Sequence, residues 1–63
     1  MNLLNAINYG TGILKNNSIE SAKLDSEILM SSIIGKERAF LLLNQNKNVD
    51  KNHFDKFKKL INQ

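Results

Sequence analysis

One stretch of the chain, residues 22–34, is apolar around nearly its whole circumference when it is drawn as a helix. Its apolar residues are Ala22, Leu24, Ile28, Leu29, Met30, Ile33 and Ile34. At 100° per residue these side chains point in almost every direction, and a helix of that kind is normally buried. A chain of 63 residues has room for a single domain, residues 1–63. The sequence therefore predicts an all-α bundle of four to five short helices around a buried central helix at about 22–34.

The flanking segments carry the signals of further helices. Residues 3–15 have apolar side chains at helical spacing, and Gly10 lies on that apolar stripe, where another helix can approach closely. A short third helix is predicted over 37–43; its last four residues, Phe40-Leu41-Leu42-Leu43, look like core material. No segment alternates polar and apolar residues for long enough to predict a strand.

The boundaries of the helices are marked by capping residues. Ser21 is a suitable N-cap for the second helix, and Gly35 is placed to end it in a left-handed conformation. For the last helix Asp50 is the predicted N-cap, with Val49 and Phe54 forming a hydrophobic staple around it. A polar loop, rich in turn-forming residues, separates the last two helices.

Composition excludes several classes of protein. The chain has no Cys, so neither a disulfide nor a thiolate metal site can supplement its core, and no Pro. It has no apolar run of membrane-spanning length, and residues 1–14 lack the features of a signal peptide. We therefore expect a cytoplasmic protein that makes no membrane contact.

No set of residues forms a catalytic, cofactor-binding or metal-binding constellation. His53 is the single histidine and lacks partners for catalysis or metal binding. Gly10-Thr11-Gly12 has neither the preceding strand nor the third glycine of a dinucleotide loop. Asp25 and Glu27 are two residues apart on a helix, so they point in different directions and cannot share a proton. The chain is not expected to be an enzyme on its own.

Charge leaves open which kind of partner is bound. From residue 36 onward there are seven basic residues against three acidic ones, which suits an acidic protein or nucleic acid. A helix-turn-helix DNA reader would have to expose polar side chains to base edges. The helix after Gly35 instead offers apolar residues, so nucleic acid is not the expected partner, although a free-standing nucleic-acid-binding domain stays an alternative.

The middle of the chain is similar to a known family. Residues 21–30, SAKLDSEILM, followed by residues 35–42, GKERAFLL, resemble the N-terminal domain of the HemK/PrmC family, whose pattern there is approximately S-x-x-L-D-A-E-x-L-L and then G-x-x-R-x-x-L-L. Residues 49–61 look like the amphipathic helix that follows. Asp25, Glu27 and Arg38 match the family's Asp, Glu and Arg, whereas Ser26 replaces its usual Ala.

The resemblance implies a role in a larger protein. Family members use S-adenosylmethionine to methylate the glutamine of the Gly-Gly-Gln motif in peptide chain release factors. Their helical domain precedes a Rossmann-like catalytic domain, which carries the Asn-Pro-Pro-Tyr signature and is expected downstream of this chain. No catalytic or cofactor residue is carried over, because the chain has no Pro.

For this piece the resemblance implies that it helps hold a release factor, generally an acidic protein, or that it braces its own catalytic domain without touching the substrate. The residues proposed to fix the helices or contact a partner are Asp25, Glu27, Lys36, Arg38, Lys58 and Lys59. Arg38 is expected to pair with Asp25 or Glu27 and so fix the second and third helices relative to each other.

Overall fold

The computed structural model describes all of residues 1–63 and contains four helices and no β-strand. They are α1 (Leu3–Asn16), α2 (Ala22–Ile34), α3 (Arg38–Leu43) and α4 (Lys51–Ile61). Each of the other helices packs against α2, which is therefore the central helix of the bundle. The predicted all-α class is confirmed, and the predicted bounds of α1, α2 and α3 are correct to within one residue. Helix α4 follows its predicted N-cap, Asp50, and so begins two residues after the start of the 49–61 stretch.

The core is a single cluster contributed by all four helices. Its buried members are Leu3, Ala6, Ile7, Met30, Leu41, Phe57 and Ile61. Phe57, Met30 and Leu41 are its largest fully buried side chains, one from each of α4, α2 and α3. Because the chain has no Cys for a disulfide, burial of this apolar surface is the main source of its stability.

The predicted close approach at Gly10 is confirmed. A β-carbon on Gly10 would lie 2.5 Å from Cζ of Phe57 and 2.8 Å from Oγ of Ser26. The absence of a side chain therefore lets α1 lie against both α2 and α4. On the same side of α1, the Ser26 hydroxyl donates a hydrogen bond to the Ile7 carbonyl oxygen at 2.8 Å.

The expectation that α2 is buried on every side is wrong for one face. The buried face contains two polar residues, Ser26 and Glu27, whereas Leu24 and Ile28 are 42% and 50% exposed. Both polar side chains find hydrogen-bond partners, Ser26 in α1 and Glu27 in α3, so each is tolerated inside. The sequence pattern could not show which apolar residues would be left outside.

The caps of the helices agree with the sequence only in part. Gly35 adopts the expected left-handed conformation, with φ of +78°, and the Asp50 side chain accepts a hydrogen bond from the Asn52 backbone. Ser21 stands at the N-cap of α2, but its hydroxyl donates to the Asp25 carboxylate at 2.9 Å and does not cap the backbone.

The last four residues of α3 are not all core material, as the sequence had suggested. Leu41 is fully buried and Phe40 is half-buried, but Leu42 is 51% exposed and Leu43 is 84% exposed. The reason is geometric: α3 has only six residues and packs on one side, so consecutive leucines cannot all face the core.

The polar loop between α3 and α4 is tied to the start of α1. The backbone N–H of Leu3 donates to the carbonyl oxygen of Lys47 at 2.9 Å, and that of Leu4 donates to Gln45 at 3.2 Å. In the other direction, the N–H of Val49 donates to the Met1 carbonyl oxygen at 2.9 Å. These loop carbonyls satisfy donors that the first turn of a helix leaves unpaired.

Candidate partner-binding surface

Arg38 and Glu27 form the predicted ion pair between α2 and α3. Nη2 of Arg38 lies 2.8 Å from Oε1 of Glu27, and Nε of the same guanidinium lies 3.3 Å from that oxygen. The Glu27 side chain is only 6% exposed, whereas that of Arg38 is 46% exposed. The pair therefore joins a buried acceptor to a half-exposed donor, and it fixes the start of α3 against the middle of α2.

Asp25, the other predicted partner of Arg38, lies elsewhere. Its carboxylate accepts the Ser21 hydroxyl one helical turn earlier, and it lines an open groove of about 450 Å³ between α1, α2 and α4. The rest of the groove is formed by Leu14, Ile28, Leu29, Ser32, Leu60 and Ile61. With one carboxylate and five apolar side chains, the groove suits an apolar side chain from another protein surface better than it suits an anion.

Lys36 lies on a different part of the surface, beside α3. Its Nζ is 5.5 Å from the centre of the Phe40 ring, and Nζ of Lys47, from the loop after α3, is also 5.5 Å from it. Both distances fall within the range of a cation–π contact. Neither lysine has an acidic partner, because Glu27–Arg38 is the one ion pair in the structure.

Lys58 and Lys59 lie at the end of α4, where they help to neutralise the negative end of the helix dipole. Together with Asp55 and Asn62 they line a shallow, polar depression. The structure therefore distributes the six predicted residues over separate areas: Glu27 with Arg38, Asp25 in the groove, Lys36 at α3, and the two lysines of α4.

The histidine and the Gly-Thr-Gly segment that were considered as catalytic or ligand sites lie on different helices. His53 is half-buried in the first turn of α4, and no group of three or more His, Asp and Glu residues is placed to hold a metal ion. Gly10-Thr11-Gly12 lies inside α1, and the Thr11 hydroxyl is used locally, donating to the Ile7 carbonyl oxygen at 2.8 Å. Every buried side-chain nitrogen and oxygen has a hydrogen-bond partner, so none is held free for a ligand.

What the sequence did not reveal is the exposed apolar surface. Ile28 and Leu60 at the groove, and Leu42 and Leu43 on α3, are all large apolar residues in contact with solvent. One signal was available: a six-residue helix with three consecutive leucines cannot bury all of them.

None of the four helices has both the length and the apolar character needed to cross a membrane.

Comparison with known proteins gave one result. Residues 5–63 match the family model described as "PrmC N-terminal domain". The match covers all four helices apart from the first two residues of α1. Comparisons with curated proteins and with solved structures gave no significant match.

Proposed function

The chain belongs to the PrmC N-terminal domain family, and on that basis we propose that it is the substrate-recognition part of a release-factor glutamine methyltransferase. In this proposal the domain helps to hold a peptide chain release factor against a Rossmann-like catalytic domain of the same protein. That catalytic domain binds S-adenosylmethionine and methylates the glutamine of the Gly-Gly-Gln motif. The 63-residue chain binds and positions the release factor; it takes no part in methyl transfer and needs no cofactor. The site of action is the cytoplasm, where translation terminates.

Family membership carries this proposal, and the surface is consistent with it. The chain has a formal net charge of +3, which favours association with an acidic protein such as a release factor. Its exposed apolar side chains can be buried by a protein partner, and its unpaired lysines complement an acidic one.

Titration of the chain with a purified, unmethylated release factor tests the proposal. We expect saturable binding that survives an excess of a short DNA duplex. Binding to the duplex alone, with an affinity that falls steeply as salt is raised, would instead support the nucleic-acid-binding alternative. That alternative has little support from α3, because the side chains it exposes beyond Arg38 are those of Ala39, Leu42 and Leu43, which have no donor or acceptor for a base edge.

The apolar groove favours a second candidate function, in which the domain braces the catalytic domain. Ile28 is 50% exposed and Leu60 is 39% exposed at this groove, and a second domain that covered them would bury this apolar surface. Binding by the isolated domain separates the two functions. If the domain recognises substrate, it binds the release factor without the catalytic domain; if it is only a brace, it binds the isolated catalytic domain and does not bind the release factor.

A further inference from the structure

We infer that the tip of α3, formed by Lys36, Phe40, Leu42, Leu43 and Lys47, is the surface that docks the protein partner, and that it takes an acidic segment with an apolar side chain. This α3 tip deepens the proposed function and rests on it: the partner is the release factor, and the inference says which surface of this chain it meets.

The apolar part of the α3 tip is the most exposed in the molecule. Leu43 has 84% of its surface in contact with solvent, more than any other large apolar residue, and Leu42 has 51%. Leu43 follows Phe40 by three residues, so the two side chains lie on neighbouring positions of the same helix face. A partner that covers this face would bury apolar surface without first moving any part of the domain.

The charged part of the α3 tip is positive and largely unpaired. Lys36 and Lys47 both place their ammonium groups 5.5 Å from the centre of the Phe40 ring, and neither forms an ion pair. Residues 36–47 contain three basic residues and one acidic residue, Glu37. Two cations without an acidic partner, both at the ring of Phe40 three residues before Leu43, complement a segment with carboxylates around an apolar anchor.

The two other candidate surfaces match this combination less well. The depression at Lys58 and Lys59 is positive but is lined by no apolar residue. The groove at Ile28 and Leu60 is apolar, but the one charged residue that lines it is Asp25, which would repel an acidic partner. The α3 tip combines the most exposed leucine of the chain with two lysines that have no acidic partner.

The experiment measures release-factor binding by the whole chain and by four single variants, whose folding is first checked by circular dichroism and thermal melting. Leu43→Ser should weaken binding by about tenfold or more, as expected for loss of an apolar anchor. Lys47→Glu should slow association and reduce the salt dependence of the association rate. Ile28→Ser in the groove and Lys56→Glu on α4 are the matched controls, and both should bind like the unchanged chain.

The outcomes separate the inference from the function on which it rests. If the unchanged chain binds and Leu43→Ser and Lys47→Glu bind equally well, the α3 tip is not the docking surface, while the proposed function stands. A loss confined to Ile28→Ser would assign docking to the groove and overturn the inference in the same way. Absence of binding by the unchanged chain would overturn the proposed function and the inference together.

Discussion

The ring of Phe57 lies against the backbone of Gly10, so close that a β-carbon on Gly10 would be 2.5 Å from Cζ of the ring. Phe57 is fully buried, and its neighbour Phe54 stacks edge-on with Tyr9 of α1 at 5.5 Å between ring centres. Helices α1 and α4 are therefore in contact at two places, where the Phe57 ring packs on Gly10 and where the rings of Tyr9 and Phe54 meet. This contact accounts for a glycine inside a helix, where it costs about 1 kcal/mol relative to alanine.

Replacing Gly10 by alanine should destabilise the domain by about 1–3 kcal/mol, because the new methyl group overlaps Phe57 and Ser26. Gly12→Ala is the matched control. An alanine there would meet nothing within 4 Å, so the gain in helix propensity should raise stability by about 0.5–1 kcal/mol. Urea denaturation measures both changes. A similar change in the same direction for the two variants would contradict the packing that we describe.

Arg38→Ala should lower the free energy of unfolding by about 1–2 kcal/mol, since it leaves the nearly buried Glu27 carboxylate without its charged donor. The loss is smaller than for a fully buried pair because Arg38 is half-exposed and water can partly replace it. A double-mutant cycle with Glu27→Gln measures the coupling between the two side chains.

Lys36→Ala is the control for Arg38→Ala, because Lys36 forms no ion pair; its effect should stay within about 0.5 kcal/mol. If Arg38→Ala keeps full thermal stability but weakens release-factor binding, Arg38 would have to be assigned to partner contact and its structural role withdrawn.

Ser18→Gly should stabilise the domain by about 0.5–1 kcal/mol. Ser18 has a φ of +64°, a left-handed conformation that glycine adopts without the cost of a β-carbon. Ser18 lies just after the C-terminal end of α1. Its N–H donates to the Lys15 carbonyl oxygen, and the N–H of Ile19 donates to that of Leu14. Thermal melting measures the gain. Asn17→Gly should have the opposite effect, since Asn17 has negative φ and its side chain bonds the Ile13 carbonyl oxygen.

Ser26→Ala should cost less than about 1 kcal/mol even though Ser26 is fully buried. Its hydroxyl donates to the Ile7 carbonyl oxygen, and that oxygen keeps a second donor, the Thr11 hydroxyl, at 2.8 Å. Combining Ser26→Ala with Thr11→Val removes both hydroxyl donors, but the oxygen still accepts the α-helical hydrogen bond from the Thr11 backbone N–H. The double variant should therefore lose about the sum of the two single changes, and a much larger loss in chemical denaturation would show that this backbone bond does not satisfy the carbonyl.

The sequence predicted much of the fold because its helices have clear apolar patterns and clear ends. Gly10 on an apolar stripe indicated a close contact, and Asp50 and Gly35 marked helix boundaries that the structure confirms. The sequence also limited the ion-pair partner of Arg38 to two carboxylates. The choice between Asp25 and Glu27 depends on how α2 is rotated, and that is set by packing against the other helices.

Which side chains are exposed was harder to predict, because that also depends on how the helices pack against one another. Helical periodicity says which side chains share a face, but it does not say which faces find a neighbour in a bundle this small. Ile28 and Leu43 are apolar and yet exposed, whereas Ser26 and Glu27 are polar and buried. The local pattern alone predicts that the apolar pair is buried and the polar pair is exposed. It cannot show that Ser26 and Glu27 find hydrogen-bond partners in α1 and α3, which make their burial possible.

The pairing of the loop after α3 with the start of α1 has a consequence for how the domain folds. The first turn of α1 is completed by carbonyl oxygens of Gln45 and Lys47, which come from the loop after α3. With two glycines in its interior, α1 has little tendency to form in isolation. Its amide hydrogens should therefore exchange with solvent only when the whole domain opens, so that α1 unfolds and refolds together with the rest of the chain.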